Sequence, residues 1–299
     1  MLGTVARLRR YPVKSMLGED VDASAVSGHG LAGDRRLAVV SRITGKIASA
    51  KYPRLWRDLL TLSAAAGEGA ASARITLPGG KSIWSTDADA DEILSALLGQ
   101  PVTLSAVPPP GASLDRAIPE AVLHEGVTAH VPAEIVEIGA GAPPGTFVDF
   151  APVHLLTTST LDRIAELSPD RTAHPERYRP NIIIRSPARG FTENDWLGRE
   201  LRIGAELILG VIARTPRCAV PTLAHGGLPR DAEALRVLAG HNRVDPAAGP
   251  ATETRDVRPG TPGRRPGYGR GSVPRRRRRR RAPGRSTPPA APGCGRRAP

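Results

Sequence analysis

Proline and glycine interrupt the apolar segments of this chain so often that short strands are the expected building element. The 299 residues include 30 prolines and 32 glycines. Between them lie short segments in which apolar and polar residues alternate, as in residues 201–204 and 206–212, and this alternation is typical of strands. The pattern predicts a mainly β fold with a few short helices (α+β), barrel-like and arranged in two lobes.

Three segments have the spacing of amphipathic helices. Residues 87–98 begin with acidic side chains and end before Gly99, residues 159–167 begin with hydroxyl side chains, and residues 232–239 end before Gly240. These residue types favour the two ends of helices, so we expect a helix in each segment.

Two proline-rich breaks and one change of composition predict the domain boundaries. Residues 108–111 and 142–145 are Pro-Pro-Pro-Gly and Ala-Pro-Pro-Gly, and arginine, proline and glycine dominate after residue 246. We predict a first domain at residues 1–110, a second domain carrying Cys218 at residues 111–246, and a low-complexity, disordered tail at residues 247–299. The tail has few strand-forming residues, so we expect no strand there and an unpaired sheet edge before it.

The formal net charge of +13 arises almost entirely from the tail. From Arg255 onward there are 15 arginines and one acid, which leaves 27 basic and 28 acidic residues before it. Residues 275–281 are an unbroken arginine run without interleaved aromatic side chains. We therefore expect nucleic acid to bind only nonspecifically, through the tail.

Cysteine usage and hydropathy indicate the compartment. Cys218 and Cys294 are the only cysteines, so a disulfide framework is excluded and a reducing environment fits. The chain has no apolar run long enough to span a membrane, and residues 1–10 lack the core of a signal peptide. We expect a cytoplasmic protein that does not associate with membranes.

Cys218 is the first candidate for a chemical role. It follows the predicted strand at residues 206–212 by a few residues, and Arg217 precedes it. A neighbouring guanidinium favours the thiolate, which is both a nucleophile and a metal ligand. An inert, buried cysteine is the alternative.

Two basic residues near strand ends are candidates for anion binding. Lys14 is one of four lysines beside 38 arginines, and it precedes Ser15 in a turn after a predicted strand. Arg35 follows a glycine-rich loop that opens a strand. Both could contact phosphate, whereas the alternatives are an exposed turn lysine and a solvated arginine in a hairpin. His154 has no second histidine at ligand spacing, so a zinc site is not expected and the imidazole is predicted to pack in or beside the core.

Five short motifs resemble those of one protein family. Their order is that of proteins with a MOSC domain, the molybdenum cofactor sulfurase carboxy-terminal domain, preceded by its amino-terminal β-barrel partner. The resemblance covers roughly residues 1–245. The motifs are Tyr-Pro-Val-Lys-Ser at 11–15, Gly-Asp-Arg at 33–35, Ala-Lys-Tyr-Pro-Arg-Leu at 50–55, Tyr-Arg-Pro-Asn at 178–181 and Thr-Pro-Arg-Cys at 215–218.

The resemblance implies a function and a set of site residues. Cys218 would be the catalytic residue and the protein ligand of molybdenum in a molybdenum cofactor, since a soft thiolate suits that metal. The implied reaction, that of the amidoxime-reducing branch, is reduction of N-hydroxylated compounds with electrons from a separate flavin or iron–sulfur donor. The residues implied to bind the cofactor are Lys14, Ser15, Arg35, Asp149, Arg179, Asn181 and Arg217.

Two other functions remain open from the sequence. Cys218 could instead carry a persulfide as a sulfur carrier for metal–sulfur cofactor chemistry, and the arginine run could bind polyanions. The resemblance also implies closing strands that the tail does not supply, so we expect weakened folding or cofactor retention in this chain.

Overall fold

The computed structural model describes residues 1–69, 71–243 and 254–258, and short strands dominate it, as alternating apolar segments broken by proline and glycine dictate. The strands are β1 (Thr4–Arg10), β2 (Glu19–Val21), β3 (Val26–Ser27), β4 (Gly30–Leu31), β5 (Ala38–Ser41), β6 (Ser63–Ala66), β7 (Ala73–Thr76), β8 (Ser82–Trp84), β9 (Val102–Ser105), β10 (Ser113–Ala117), β11 (Ala133–Glu137), β12 (Leu155–Thr157), β13 (Ile182–Arg185), β14 (Glu200–Ile203), β15 (Leu207–Val211) and β16 (Thr254–Arg258).

The helices are few and short. They are α1 (Pro53–Trp56), α2 (Ala90–Leu98), α3 (Pro119–Glu125), α4 (Thr158–Leu167), α5 (Pro175–Tyr178) and α6 (Glu233–His241), together with the 3-10 helices Arg57–Thr61, Thr192–Trp196 and Val220–Thr222. The predicted fold class, mainly β with a few short helices, is confirmed. In the described part of the chain, no helix is long and apolar enough to cross a membrane.

The helix predictions succeed where a cap is encoded locally. α2 ends at Gly99, whose φ of 64° is left-handed, and α4 begins after Thr157, whose hydroxyl accepts a hydrogen bond from the Thr160 amide. The bounds differ in detail: α2 begins at Ala90, and α6 begins at Glu233 and continues through Gly240 to His241.

A four-stranded sheet joins the beginning of the chain to its second half, in the order β12-β13-β1-β2. β1 is antiparallel to β13, with Leu8 opposite Ile182. β12 is parallel to β13, with Leu155 opposite Ile182. The segment after β1 and the segments before β12 and β13 therefore lie at the same end of this sheet, although they are far apart in sequence.

The described residues all belong to one compact unit, Met1–Thr261. One large hydrophobic cluster includes Trp56, Leu62 and Leu94 from the first hundred residues, and a second includes Leu155 and Leu209. Leu8 of β1 packs against the second cluster, and Val13 and Met16, just after β1, belong to the first, so the chain passes from one core to the other directly after this strand. The predicted boundaries at residues 110 and 246 stay predictions.

The prediction that no strand follows residue 246 is wrong at one place. β16 pairs antiparallel with β15, placing Arg258 opposite Ile208, and it extends the sheet formed by β14 and β15. The edge of β15 expected to be unpaired thus has a partner. The other residues of the predicted tail lie outside the described part, as does the prediction that they are disordered.

Candidate functional site

A cavity of about 360 Å³ lies at the end of the four-stranded sheet β12-β13-β1-β2, next to the segment that carries Cys218. Seven of the eight site residues predicted from sequence line it. They are Lys14, Ser15, Arg35, Asp149, Arg179, Arg217 and Cys218. The topology explains this grouping, because β1 ends just before Lys14 and β13 begins just after Arg179.

Asn181, the eighth predicted residue, does not line the cavity. Its side chain is 1% exposed and lies behind the wall. Its Oδ1 accepts hydrogen bonds from Arg35 Nη1 at 3.2 Å and from the backbone amide of His154 at 3.1 Å. Asn181 therefore connects the Arg35 loop to the segment before β12, instead of facing a ligand.

Left-handed backbone conformations concentrate at the cavity. In the described part of the chain, the non-glycine residues with positive φ are Ser15 at 66°, Arg35 at 46°, Arg171 at 58° and Arg179 at 55°. Three of the four line the cavity. Each such residue costs roughly 1–2 kcal/mol relative to a relaxed backbone, and such strain is typical of positions where a binding site needs a particular side-chain direction.

A carboxylate between two lysines organises one wall. Lys14 Nζ donates to Asp149 Oδ1 at 2.6 Å and to the carbonyl oxygen of Phe147 at 2.7 Å, and Lys51 Nζ lies 2.9 Å from the same Asp149 oxygen. Burial lowers the pKa of Lys14 to about 8, against the opposing effect of Asp149. Burial alone would raise the pKa of Asp149, but the two ammonium groups hold it well below its usual range.

Cys218 lies on a segment without regular structure between β15 and the 3-10 helix at Val220–Thr222. It is half-buried and packs on one side against a small apolar cluster that includes Leu60 and Val220. On the other side it lines the cavity. Cys218 is therefore part of the cavity wall and not enclosed in the core.

Arg217 contacts two side chains that precede strands of the four-stranded sheet, His154 and Tyr178. Its Nη2 lies 3.4 Å from His154 Nε2, and its guanidinium lies 5.4 Å from the centre of the Tyr178 ring. His154 Nδ1 lies 3.3 Å from the carbonyl oxygen of Arg179. The neutral tautomer with a proton on Nδ1 satisfies both of its contacts, since Nε2 is then free to accept from Arg217.

His154 makes the fold sensitive to acid. It is 9% exposed, and burial together with the positive Arg217 lowers its pKa to about 3. The unfolded chain, with a histidine pKa near 6.5, therefore binds more protons than the folded protein as pH falls below that value, and stability is lost. His225 also lowers the stability of the folded protein as the pH falls, since burial lowers its pKa to about 4.

The variant His154→Gln should be less sensitive to acid than the wild type. Between pH 6.5 and 4.5 the free energy of unfolding should fall by about 2 kcal/mol less in the variant, because each histidine contributes up to about 1.4 kcal/mol per pH unit there. Urea denaturation at several pH values measures this. His225 is present in both proteins and cancels, so parallel pH curves would contradict the expectation.

Sequence reasoning missed several cavity residues. Lys51, Arg116 and Arg177 line the cavity, and so does His154, which is buried as predicted but also faces the site. Lys51 carried the same signal as Lys14, because both are rare lysines within motifs that were noted. Arg116 lies on β10, which pairs antiparallel with β11, and no sequence motif marked this pair of strands.

The charge and hydrogen-bonding capacity of the cavity suit an anionic ligand. Seven lysine and arginine side chains line it, against the two carboxylates of Asp149 and Glu137. Arg179 Nη1 and Thr215 Oγ1 are buried without a hydrogen-bond partner in the described part of the protein. Buried donors in this state indicate an absent acceptor. No cluster of three or more histidine, cysteine or acidic side chains able to hold a metal occurs among the described residues.

Comparison with known proteins agrees with this geometry. The family model of the MOSC N-terminal beta barrel domain matches residues 2–98, and the model of the MOSC domain matches residues 143–261. No curated protein matches the chain. The two matched regions contain all seven predicted residues that line the cavity, and the second includes β16. The chain therefore belongs to the MOSC family, whose domains are associated with proteins that bind the molybdenum cofactor.

Proposed function

We propose that the chain binds the molybdenum cofactor in this cavity, with the sulfur of Cys218 as the protein ligand of the metal. One observation carries the proposal: a half-buried cysteine lines a strongly cationic cavity that has unpaired buried donors in its wall. A thiolate suits a metal that is already held by sulfur donors. A phosphorylated pterin brings the negative charge that the cavity lacks.

The chain's own residues would divide the work of holding the cofactor. Lys14 and Ser15 follow β1, Arg179 precedes β13 and Arg35 lies in the loop before β5. These four residues would contact its phosphate and pterin. Asp149 fixes Lys14 through the contact at 2.6 Å, and Arg217 lies next to Cys218 in the chain. Asn181 would act only indirectly, through its hydrogen bond to Arg35.

The proposed reaction is the two-electron reduction of N-hydroxylated compounds, as in the amidoxime-reducing branch of the family. The bound molybdenum would supply redox chemistry and oxygen-atom removal. The chain would orient the substrate in a cavity whose other walls are partly apolar, including Phe150, Val136 and Pro216. Electrons would come from a separate flavin or iron–sulfur donor, since Cys218 and Cys294 are too few to hold an iron–sulfur cluster.

Metal and phosphorus analysis of the purified chain tests this proposal. The wild-type protein should contain molybdenum and phosphorus in equal amounts. Cys218→Ser should retain at least about tenfold less molybdenum, because a hydroxyl is a poor substitute for a soft thiolate ligand.

Cys294→Ser is the matched control, because it removes the other cysteine of the chain and should leave the molybdenum content unchanged. Equal molybdenum in Cys218→Ser and wild type would contradict the proposal. A sulfur adduct on Cys218 without molybdenum, detected by mass spectrometry, would indicate a persulfide carrier instead.

A further inference from the structure

Three guanidinium groups surround the ring of one buried tyrosine beside the cavity. Tyr11 follows β1 directly and is 1% exposed. The guanidinium carbons of Arg9, Arg35 and Arg179 lie 5.9, 5.0 and 4.2 Å from the centre of its ring. All three distances fall within the range of cation–π attraction, and Arg179 is the closest.

The three arginines differ in their counter-ions. Arg9 Nη1 pairs with Asp20 at 3.0 Å, and Arg35 pairs with Asp34. In the described part of the chain, Arg179 makes no ion pair. One of its terminal nitrogens donates to a backbone carbonyl at 2.8 Å, and the other is buried without a partner. The aromatic ring therefore contacts this charge directly, whereas the carboxylates of Asp34 and Asp149 stabilise it from beyond ion-pair distance.

Tyr11 also constrains the backbone that carries Arg179. Its hydroxyl donates to the carbonyl oxygen of Pro180 at 3.2 Å. Burial raises the pKa of Tyr11, so the phenol stays protonated and keeps this donor at physiological pH. Because Arg179 has a left-handed φ of 55°, the contact at the next residue helps to hold a conformation that an arginine would otherwise leave.

We propose that Tyr11 is a positioning residue whose ring takes the place of a carboxylate counter-ion for Arg179, so that the guanidinium keeps its net positive charge at the cavity wall and attracts an anionic group there. A carboxylate would cancel the positive charge, whereas the ring quadrupole stabilises the guanidinium and leaves its net charge unchanged. Burial lowers the pKa of Arg179 to about 10, so the group is still charged at neutral pH. The inference rests on the proposed function in so far as the anion is the cofactor's phosphate.

Graded fluorination of the ring tests the role of its quadrupole. Position 11 of the full chain would carry phenylalanine or its mono-, di- or trifluorinated forms, and the protein would be made in cells that cannot synthesise the pterin. Calorimetric titration with inorganic phosphate should show affinity falling stepwise with fluorination, by about tenfold in total, because fluorine withdraws charge from the ring face at nearly constant shape. A packing role alone would leave the affinity flat.

The same series at Tyr52 is the control, because that ring is 8% exposed and packs in the first hydrophobic cluster. Fluorination there should not change phosphate affinity. A flat series at position 11, or a wild-type cavity that binds no phosphate, would overturn the proposal. Molybdenum content is measured separately in protein from cells that make the cofactor, so a graded phosphate series without molybdenum would contradict the proposed function and leave the role of Tyr11 standing.

Discussion

Replacing Arg177 with methionine is expected to lower the free energy of unfolding by about 3 kcal/mol or more and to displace the segment that carries Cys218. Arg177 is 3% exposed, and its guanidinium donates to the carbonyl oxygens of Pro221 at 3.2 Å, Leu223 at 3.0 Å and Pro229 at 2.7 Å. Each buried carbonyl that loses its donor costs about 1–3 kcal/mol. Methionine fills similar space but donates nothing.

Urea denaturation and molybdenum analysis together measure this effect. The matched control is Arg236→Met, because Arg236 is exposed on α6 and its side chain pairs with Glu233, three residues away, at 2.9 Å. That change should cost less than about 0.5 kcal/mol. If Arg177→Met were as mild as the control, the three carbonyl contacts would not hold the loop as described.

Replacing Asp149 with asparagine should destabilise the protein by about 2–3 kcal/mol at pH 7. The change leaves Lys14, which is 3% exposed, without its carboxylate and close to the second ammonium of Lys51. A buried charge without a partner either costs several kcal/mol or gives up its proton. The pKa of Lys14, already lowered to about 8 by burial, should therefore fall further in the variant.

The pH dependence of this stability deficit follows from the lowered pKa of Lys14. Where the folded pKa of a lysine lies below the unfolded value of 10.5, the unfolded chain binds more protons, so stability rises with pH across that interval. Near pH 9.5 Lys14 is neutral in both folded proteins, and the deficit of Asp149→Asn should shrink by more than half. Asp115→Asn is the control, because its pair with Lys46 at 2.6 Å is partly exposed and should give a small loss that does not vary with pH. A constant deficit for Asp149→Asn would contradict the expectation.

Much of the site was visible in the sequence because its cations are placed next to strand ends. Lys14, Arg35 and Arg179 each adjoin a strand in the alternating pattern, and Cys218 follows another. The sequence did not show that these residues lie close together. That depends on the pairing of β1 with β13, which joins residues more than 170 positions apart, and local periodicity carries no record of such a pairing.

The misses have the same physical origin. Asn181 shares a motif with Arg179, which lines the cavity. Its own side chain lies behind the cavity wall, where it accepts hydrogen bonds from Arg35 and from the backbone amide of His154. Arg177 was not singled out from the sequence, because its three acceptors come from a loop more than 40 residues later. β16 was missed because strand propensity is weak in its sequence, and pairing with β15 overrides propensity.

β1 lies between β13 and β2 in the four-stranded sheet, and this position has a consequence for synthesis on the ribosome. β1 gains its main partner only after β13 has been translated, more than 170 residues later, so the four-stranded sheet cannot close until then. Cutting the gene between the two family regions would separate strands that need each other. Each half would then expose an edge that invites aggregation.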